Sequence, residues 1–142
     1  MSTYGTAQWK GGLKDGKGTV STKSGVLKST PYDFKMRFED AAGGTNPEEL
    51  LGAAHAGCFT MALSAILGEA GLTAEQMDTK CEMALEKDGD GFAIKKIHLT
   101  LQAKIPGADK ATFDDCAAKA KAGCPVSKLF KGADITLDAK LV

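Results

Sequence analysis

Four cysteines, two histidines and a single arginine are the residues in this 142-residue chain whose chemistry is least interchangeable. The cysteines stand at positions 58, 81, 116 and 124 with no CxxC pair among them, and the histidines are His55 and His98. A structural zinc site needs several such ligands at short, regular spacing, and this pattern does not supply them. Cys124 lies between Gly123 and Pro125. Glycine ends helices and proline begins them, so Cys124 sits at or beside a helix N-cap, where exposed N–H groups favour a thiolate. The same break leaves the thiol able to move; a plain joint between helices is the other use of such a residue. Cys58 falls in the middle of an apolar stretch that reads as a helix. The helix dipole acts only within the end turns, so a mid-helix thiol gains little from it. Position alone favours a small core residue, and a thiolate there would need a cation brought from elsewhere in the fold. Cys81 alternates with polar neighbours on a strand, and Cys116 stands three residues after Phe113 on an apolar helix face. Both read as core.

His55 precedes Cys58 by three residues, so the two share a helix flank. A Cys–His pair is an acyl-transfer signature, but neighbours at this spacing on one helix rarely reach hydrogen-bond geometry. His98 sits between Ile97 and Leu99 and faces outward from its strand. Arg37 is the only residue able to offer a planar, permanently charged fork. Held by a carboxylate through bidentate bonds, such a group could stabilise a thiolate and polarise a peroxide oxygen. A surface charge on a strand is the alternative. Glu48 and Glu49 are explained equally well as acids at the positive end of a helix.

The elements that must position these residues are readable in outline. Thr3–Trp9 and Thr19–Thr22 suggest short strands around a turn containing Asp15-Gly16. Tyr32, Phe34, Met36 and Phe38 alternate with Asp33, Lys35, Arg37 and Glu39, which predicts a third strand with Arg37 opposite the aromatics. Asn46-Pro47-Glu48-Glu49 is a helix start, and the helix should run to about Glu69. It is apolar on nearly every side, which places it in the centre of the fold. Strands over 79–86 and 97–105 form a hairpin around Asp88-Gly89. A helix over 111–122, a short helix from Pro125 through Phe130 and a closing strand over 135–141 complete the chain. The expected class is α+β, a single domain over 1–142 with antiparallel sheets and a long buried central helix.

Composition narrows the function classes. Apolar residues make up 43% and charged residues 25%, and 18 basic side chains balance 18 acidic ones. No bulk field favours nucleic acid or an anionic membrane. The first residues carry no signal-peptide pattern, and the apolar stretch from Leu50 to Leu67 is interrupted by His55, Ser64, Gly52 and Gly57. The expectation is a cytoplasmic protein with reduced cysteines and neither a membrane nor a nucleic-acid partner.

The segment Thr45-Asn46-Pro47-Glu48-Glu49-Leu50-Leu51-Gly52-Ala53-Ala54-His55-Ala56-Gly57-Cys58-Phe59 resembles the first cysteine motif of the OsmC/Ohr family. Lys119-Ala120-Lys121-Ala122-Gly123-Cys124-Pro125-Val126-Ser127 resembles its second. The stretch from Trp9 through Gly18-Thr19-Val20-Ser21 to Arg37-Phe38-Glu39 is similar to the OsmC branch. The resemblance implies an intertwined homodimer and a thiol peroxidase acting on organic hydroperoxides above all, more weakly on hydrogen peroxide. By motif position it implies Cys58 as peroxidatic cysteine, Cys124 as resolving cysteine, Arg37 as active-site arginine and Glu48 as its carboxylate partner. It also implies a dithiol reductant, such as a lipoyl-bearing protein, and no metal or organic cofactor. Cys81 and Cys116 gain no role from it.

Two other classes of function fit the same residues. One is a redox-sensing or ligand-binding module whose cysteines report oxidation without turnover; the other is an acyl-transfer enzyme using Cys58 and His55. Helix geometry adds a constraint of its own. Glu48 and Cys58 are ten residues apart, about 15 Å along an unbroken helix. Helical side chains lean toward the N-terminus, so Glu48 points away from its own Cys58. One arginine could serve both only if the helix breaks near Gly52 or Gly57, or if Glu48 comes from a partner subunit.

Overall fold

The computed structural model describes all residues, 1–142, and the chain divides into two compact units, Met1–Leu50 and Leu51–Val142.

In the first unit β1 (Gly5–Lys10), β2 (Lys17–Thr22) and β3 (Thr30–Tyr32) form an antiparallel sheet in that order. Gly18 pairs with both Trp9 and Tyr32. A Cβ there would come within 2.5 Å of the Tyr32 ring and 2.6 Å of the Trp9 ring. The missing side chain is therefore what lets the two aromatics meet, at 5.4 Å between centroids. The residues after Tyr32 do not continue as a strand: Phe34–Phe38 is a short helix, α1. Asp33 decides this, because its carboxylate accepts from the Met36 N–H at 2.9 Å and caps the helix. Phe34 and Phe38 pack at 4.8 Å as an (i, i+4) pair, a spacing that satisfies a period of two as well as a helix. Arg37 thus stands on a helix and not on the expected strand.

The long helix α2 (Pro47–Glu69) starts where the sequence places it and is continuous through Gly52 and Gly57. Asn46 caps it, accepting from the Glu49 N–H at 2.8 Å. Its burial differs from expectation. Only a stripe of Gly52, His55, Phe59, Leu63 and Leu67 is buried, the three- and four-residue spacing of a single face. The opposite flank, with Ala53, Gly57 and Ser64, is exposed, and Met61 there is 76% accessible.

In the second unit β4 (Gln76–Asp88) and β5 (Gly91–Lys104) form the expected hairpin. The closing strand β6 (Asp134–Leu141) pairs with β5 in parallel, so the sheet is mixed and not wholly antiparallel. α3 (Lys110–Gly123) and α4 (Pro125–Leu129) supply the crossover that a parallel pairing requires. The core joins Phe59, Leu63 and Leu67 of α2 to Leu99, Leu101 and Ala103 of β5 and to Phe113, Cys116 and Ala120 of α3. Gly52 lets α2 approach the sheet: a Cβ there would lie 3.1 Å from the Cys81 carbonyl oxygen.

Leu63 is fully buried in this core. Leu63→Ala should lower unfolding free energy by about 2–5 kcal/mol, measured by urea denaturation. Met61→Ala, on the exposed flank, should cost a monomeric chain far less.

Candidate active site

Cys124 is the residue between α3 and α4, and it serves both. Its backbone N–H donates to the Ala120 carbonyl at 3.0 Å, closing α3, and its own carbonyl accepts from the Lys128 N–H at 3.1 Å, opening α4. Its φ of −64° and ψ of 140° are extended, as an N-cap requires. The cap acceptor is sulfur: Sγ takes the Ser127 N–H at 3.3 Å. The thiol in turn donates to Ser127 Oγ at 3.1 Å. Cap and third residue are thus joined twice through the one sulfur, which accepts the Ser127 N–H and donates to the Ser127 hydroxyl. Cys124 is fully buried, so the mobile joint expected from Gly123 and Pro125 is instead a closed one.

Cys58, on α2, meets this corner from the other side. Its sulfur is partly accessible. The Val126 backbone N–H and the Cys124 thiol are its neighbours there. Burial pushes its pKa up first and the neighbouring Cys124 adds to this, while the Val126 N–H pulls the other way. All four cysteines are free thiols. Two thiols held together, one reachable and one enclosed, form a dithiol poised to become a disulfide.

His55 is fully buried, one turn before Cys58, yet it does not bond Cys58. Its Nε2 lies 2.7 Å from Ser127 Oγ, and its ring meets Phe130 edge-on at 5.5 Å. Burial lowers its pKa, so the imidazole is neutral near pH 7. This removes the geometric basis for an acyl-transfer pair of Cys58 and His55. Ser127, which joins His55 to Cys124, is the residue of this corner that sequence reasoning missed. The signal was available, since an N-cap at Cys124 makes Ser127 the third helical residue, the position that reaches back to a cap. Phe130 also lines an apolar cavity of about 300 Å³ with Leu51, Met83, Ile94, Ile97 and Leu129.

Arg37 and Glu48 are also brought together, in the first unit. Arg37 Nε and Nη2 both donate to Glu48 Oε1, at 3.1 and 2.8 Å. One oxygen takes both bonds, so the contact is a fork on a single acceptor and not the expected bidentate pairing. The Arg37 guanidinium also lies over the Phe38 ring, 5.5 Å from its centroid. Glu49 is occupied by the Thr45 hydroxyl at 3.0 Å and has a structural role. The four residues singled out in the sequence therefore form two pairs, Cys58 with Cys124 and Arg37 with Glu48, one in each compact unit.

Cys116 lies in the core at 3% accessibility. Cys81 is half-buried, and burial together with the Glu82 charge pushes its pKa to about 11. No group of three or more His, Cys, Asp or Glu side chains is arranged to hold a metal ion.

The family model for OsmC-like protein matches residues 39–139. The peroxiredoxin OsmC of Escherichia coli is 58% identical over 137 residues, covering 96% of this chain and 94% of its own. An organic hydroperoxide resistance protein of Xanthomonas axonopodis pv. citri is 31% identical over 129 residues, covering 89% and 87%. Among solved structures, the organic hydroperoxide resistance protein OsmC of Legionella pneumophila superposes with a TM-score of 0.71 at 29% identity, over 99% of this chain and 97% of that one.

Mild oxidation should yield one disulfide, between Cys58 and Cys124, in peptide mapping by mass spectrometry. A dominant bond through Cys81 or Cys116 would contradict this. With its pKa near 11, Cys81 should resist alkylation at pH 8 and gain reactivity only as pH rises toward that value.

Proposed function

The chain belongs to the OsmC-like family, and on that premise we propose that it is a thiol peroxidase that reduces organic hydroperoxides through Cys58 and Cys124. The observation that carries this is the contact between the two thiols, Cys58 partly open and Cys124 enclosed. The Cys58 thiolate attacks the distal peroxide oxygen; the O–O bond breaks and an alcohol, or water from hydrogen peroxide, leaves. Cys58 is then a sulfenic acid. Cys124 attacks its sulfur, the S–OH bond breaks, and the products are a disulfide and water. A dithiol reductant restores both thiols by exchange; we assign that role to dihydrolipoyl groups, including those carried on protein. The organic hydroperoxide resistance proteins among its relatives favour alkyl hydroperoxides over hydrogen peroxide as substrate.

Attack requires the Cys58 thiolate, and burial opposes it. Arg37, held by Glu48, is the cation assigned to offset that penalty. The continuity of α2 through Gly52 and Gly57 disfavours the alternative in which a helix break lets Glu48 fold back on its own Cys58. The exposed flank of α2, apolar and rich in small residues, suits close approach by a second copy of the same helix. Both observations support a homodimer in which Arg37 and Glu48 of one subunit serve Cys58 of the other. Zero net charge gives no electrostatic reason for nucleic acid or a membrane surface as partner.

Steady-state turnover with dihydrolipoamide as donor tests the reaction: cumene hydroperoxide should be consumed faster than hydrogen peroxide. Cys58→Ser should abolish it, and full turnover in that variant would end the proposal. Arg37→Ala should raise the Cys58 pKa and so slow attack at neutral pH by about tenfold or more, read from a thiol titration and from the rate of sulfenic acid formation. Arg37→Lys should not rescue, because an ammonium lacks the fork that bonds Glu48 while facing sulfur. Mixing Glu48→Ala and Cys58→Ser chains under subunit exchange should restore one working site per mixed dimer. A fully active monomer would contradict the shared site.

A further inference from the structure

A buried histidine with one ring nitrogen bonded and the other idle is an unusual core residue. His55 is fully buried, its Nε2 is 2.7 Å from Ser127 Oγ, and its Nδ1 has no hydrogen-bond partner. Most buried polar atoms are satisfied, so a packing role alone does not explain this residue. Nor does Ser127 end the chain of contacts, because its hydroxyl also accepts from the Cys124 thiol at 3.1 Å. Sulfur, hydroxyl and imidazole thus form one continuous line across α4 and α2, closed to solvent at each member: Cys124 and His55 are 0% accessible and Ser127 is 4%.

The line solves a problem that the two-cysteine cycle creates. Cys124 must become a nucleophile to attack the Cys58 sulfenic acid, yet its thiol is fully buried, so loss of its proton to solvent is slow at neutral pH. We propose that His55, acting through the Ser127 hydroxyl, is the proton relay that activates Cys124 in the disulfide-forming step. The inference rests on the peroxidase reading given above.

In the resting state the Cys124 S–H donates to Ser127 Oγ, and the Ser127 O–H donates to the bare Nε2 of a His55 carrying its proton on Nδ1. As Cys124 attacks, its proton passes to Ser127 Oγ while the Ser127 proton passes to Nε2. The S–S bond forms, the S–OH bond of Cys58 breaks, and the Cys58 sulfenic sulfur is reduced as Cys124 is oxidised. The hydroxide leaving Cys58 takes a proton back along the same line, from Ser127 Oγ as Nε2 returns its proton to Ser127, so His55 ends neutral and water is released. During the step Ser127 donates to sulfur and imidazolium Nε2–H donates to Ser127, so every hydrogen bond survives with its direction reversed. No partner on Nδ1 pins the tautomer against that reversal. Burial, and no charged side chain, displaces the His55 pKa downward, so the imidazolium is short-lived and returns its proton readily. The titratable group facing the line is Cys58 of α2, in contact with Cys124. His55 and Ser127 touch neither peroxide nor the sulfenic sulfur on this account; they are positioning and proton-relay residues.

Ser127→Ala and His55→Gln test the relay in the full-length protein. The first removes the bridging hydroxyl but keeps the backbone N–H cap on Cys124; the second can bond Ser127 but cannot take up a proton. Each reduced protein is mixed with one equivalent of cumene hydroperoxide and quenched over time. Dimedone adducts report Cys58 sulfenic acid, and intact mass reports disulfide and sulfinic acid. Both variants should form sulfenic acid at the wild-type rate but close the disulfide roughly a hundredfold more slowly, the scale of a lost acid–base group. Sulfinic acid should accumulate under excess peroxide. Raising pH should restore disulfide closure toward the wild-type rate, because hydroxide then replaces the relay; a variant that had merely lost its packing would not recover. Ser127→Ala closing its disulfide within about twofold of wild type, or staying slow at every pH, would overturn the relay, whether or not His55→Gln folds. A wild-type protein that forms neither sulfenic acid nor disulfide with peroxide would overturn the peroxidase reading, and the relay with it.

Discussion

The sulfur of Cys124 completes the first turn of α4 by accepting the Ser127 N–H, and the same sulfur lies against Cys58. Capping and chemistry are therefore one contact. A helix start that used Ser or Asp at this position would be at least as stable, but it would leave Cys58 with no thiol beside it. Because the cap fixes the rotamer of Cys124, the distance between the thiols is set by how α2 and α4 pack. That packing is secured by the buried stripe of α2 and by the His55–Ser127 bond.

Helix α2 has two jobs that call for different faces. The buried stripe carries His55, Phe59, Leu63 and Leu67 into the core, and Gly52 lets the helix sit close to β4. Cys58 occupies the flank, where its sulfur is partly accessible. The other flank is apolar and uncovered in the single chain. By length and hydropathy alone α2 could span a bilayer, but a fully buried histidine tied to a serine of another helix is what a core helix carries.

Much of this was legible in the residues. The bounds of α2, the hairpin, the helix over 111–122 and the position of Cys124 between two helices follow from capping residues and periodicity, and the structure repeats them. Three features were not legible, each for a physical reason. Phe34 and Phe38 fit a strand and a helix equally, and only the Asp33 cap chooses between them. The alternation of Ile135, Leu137 and Ala139 marks a strand but carries no direction, so its parallel pairing with β5 waits for the crossover to be seen. An apolar helix tells nothing of which sides its own chain covers, and α2 looked buried all round when only one stripe is. The motif resemblance picked out Cys58, Cys124, Arg37 and Glu48, which the structure holds as two pairs, one in each unit. The His55–Ser127 bond joins residues 72 positions apart, and no local pattern announces such a pair.

The central claim is that Cys58 and Cys124 are already placed for a bond, so oxidation needs no rebuilding of the fold. A crystal structure of the peroxide-oxidised protein tests this most directly. It should show a Cys58–Cys124 disulfide with α2 unbroken, α4 still starting at Pro125 and the Ser127 N–H still directed at the Cys124 sulfur. An oxidised structure in which the two sulfurs remain unbonded, or bond only after α4 unwinds, would contradict it.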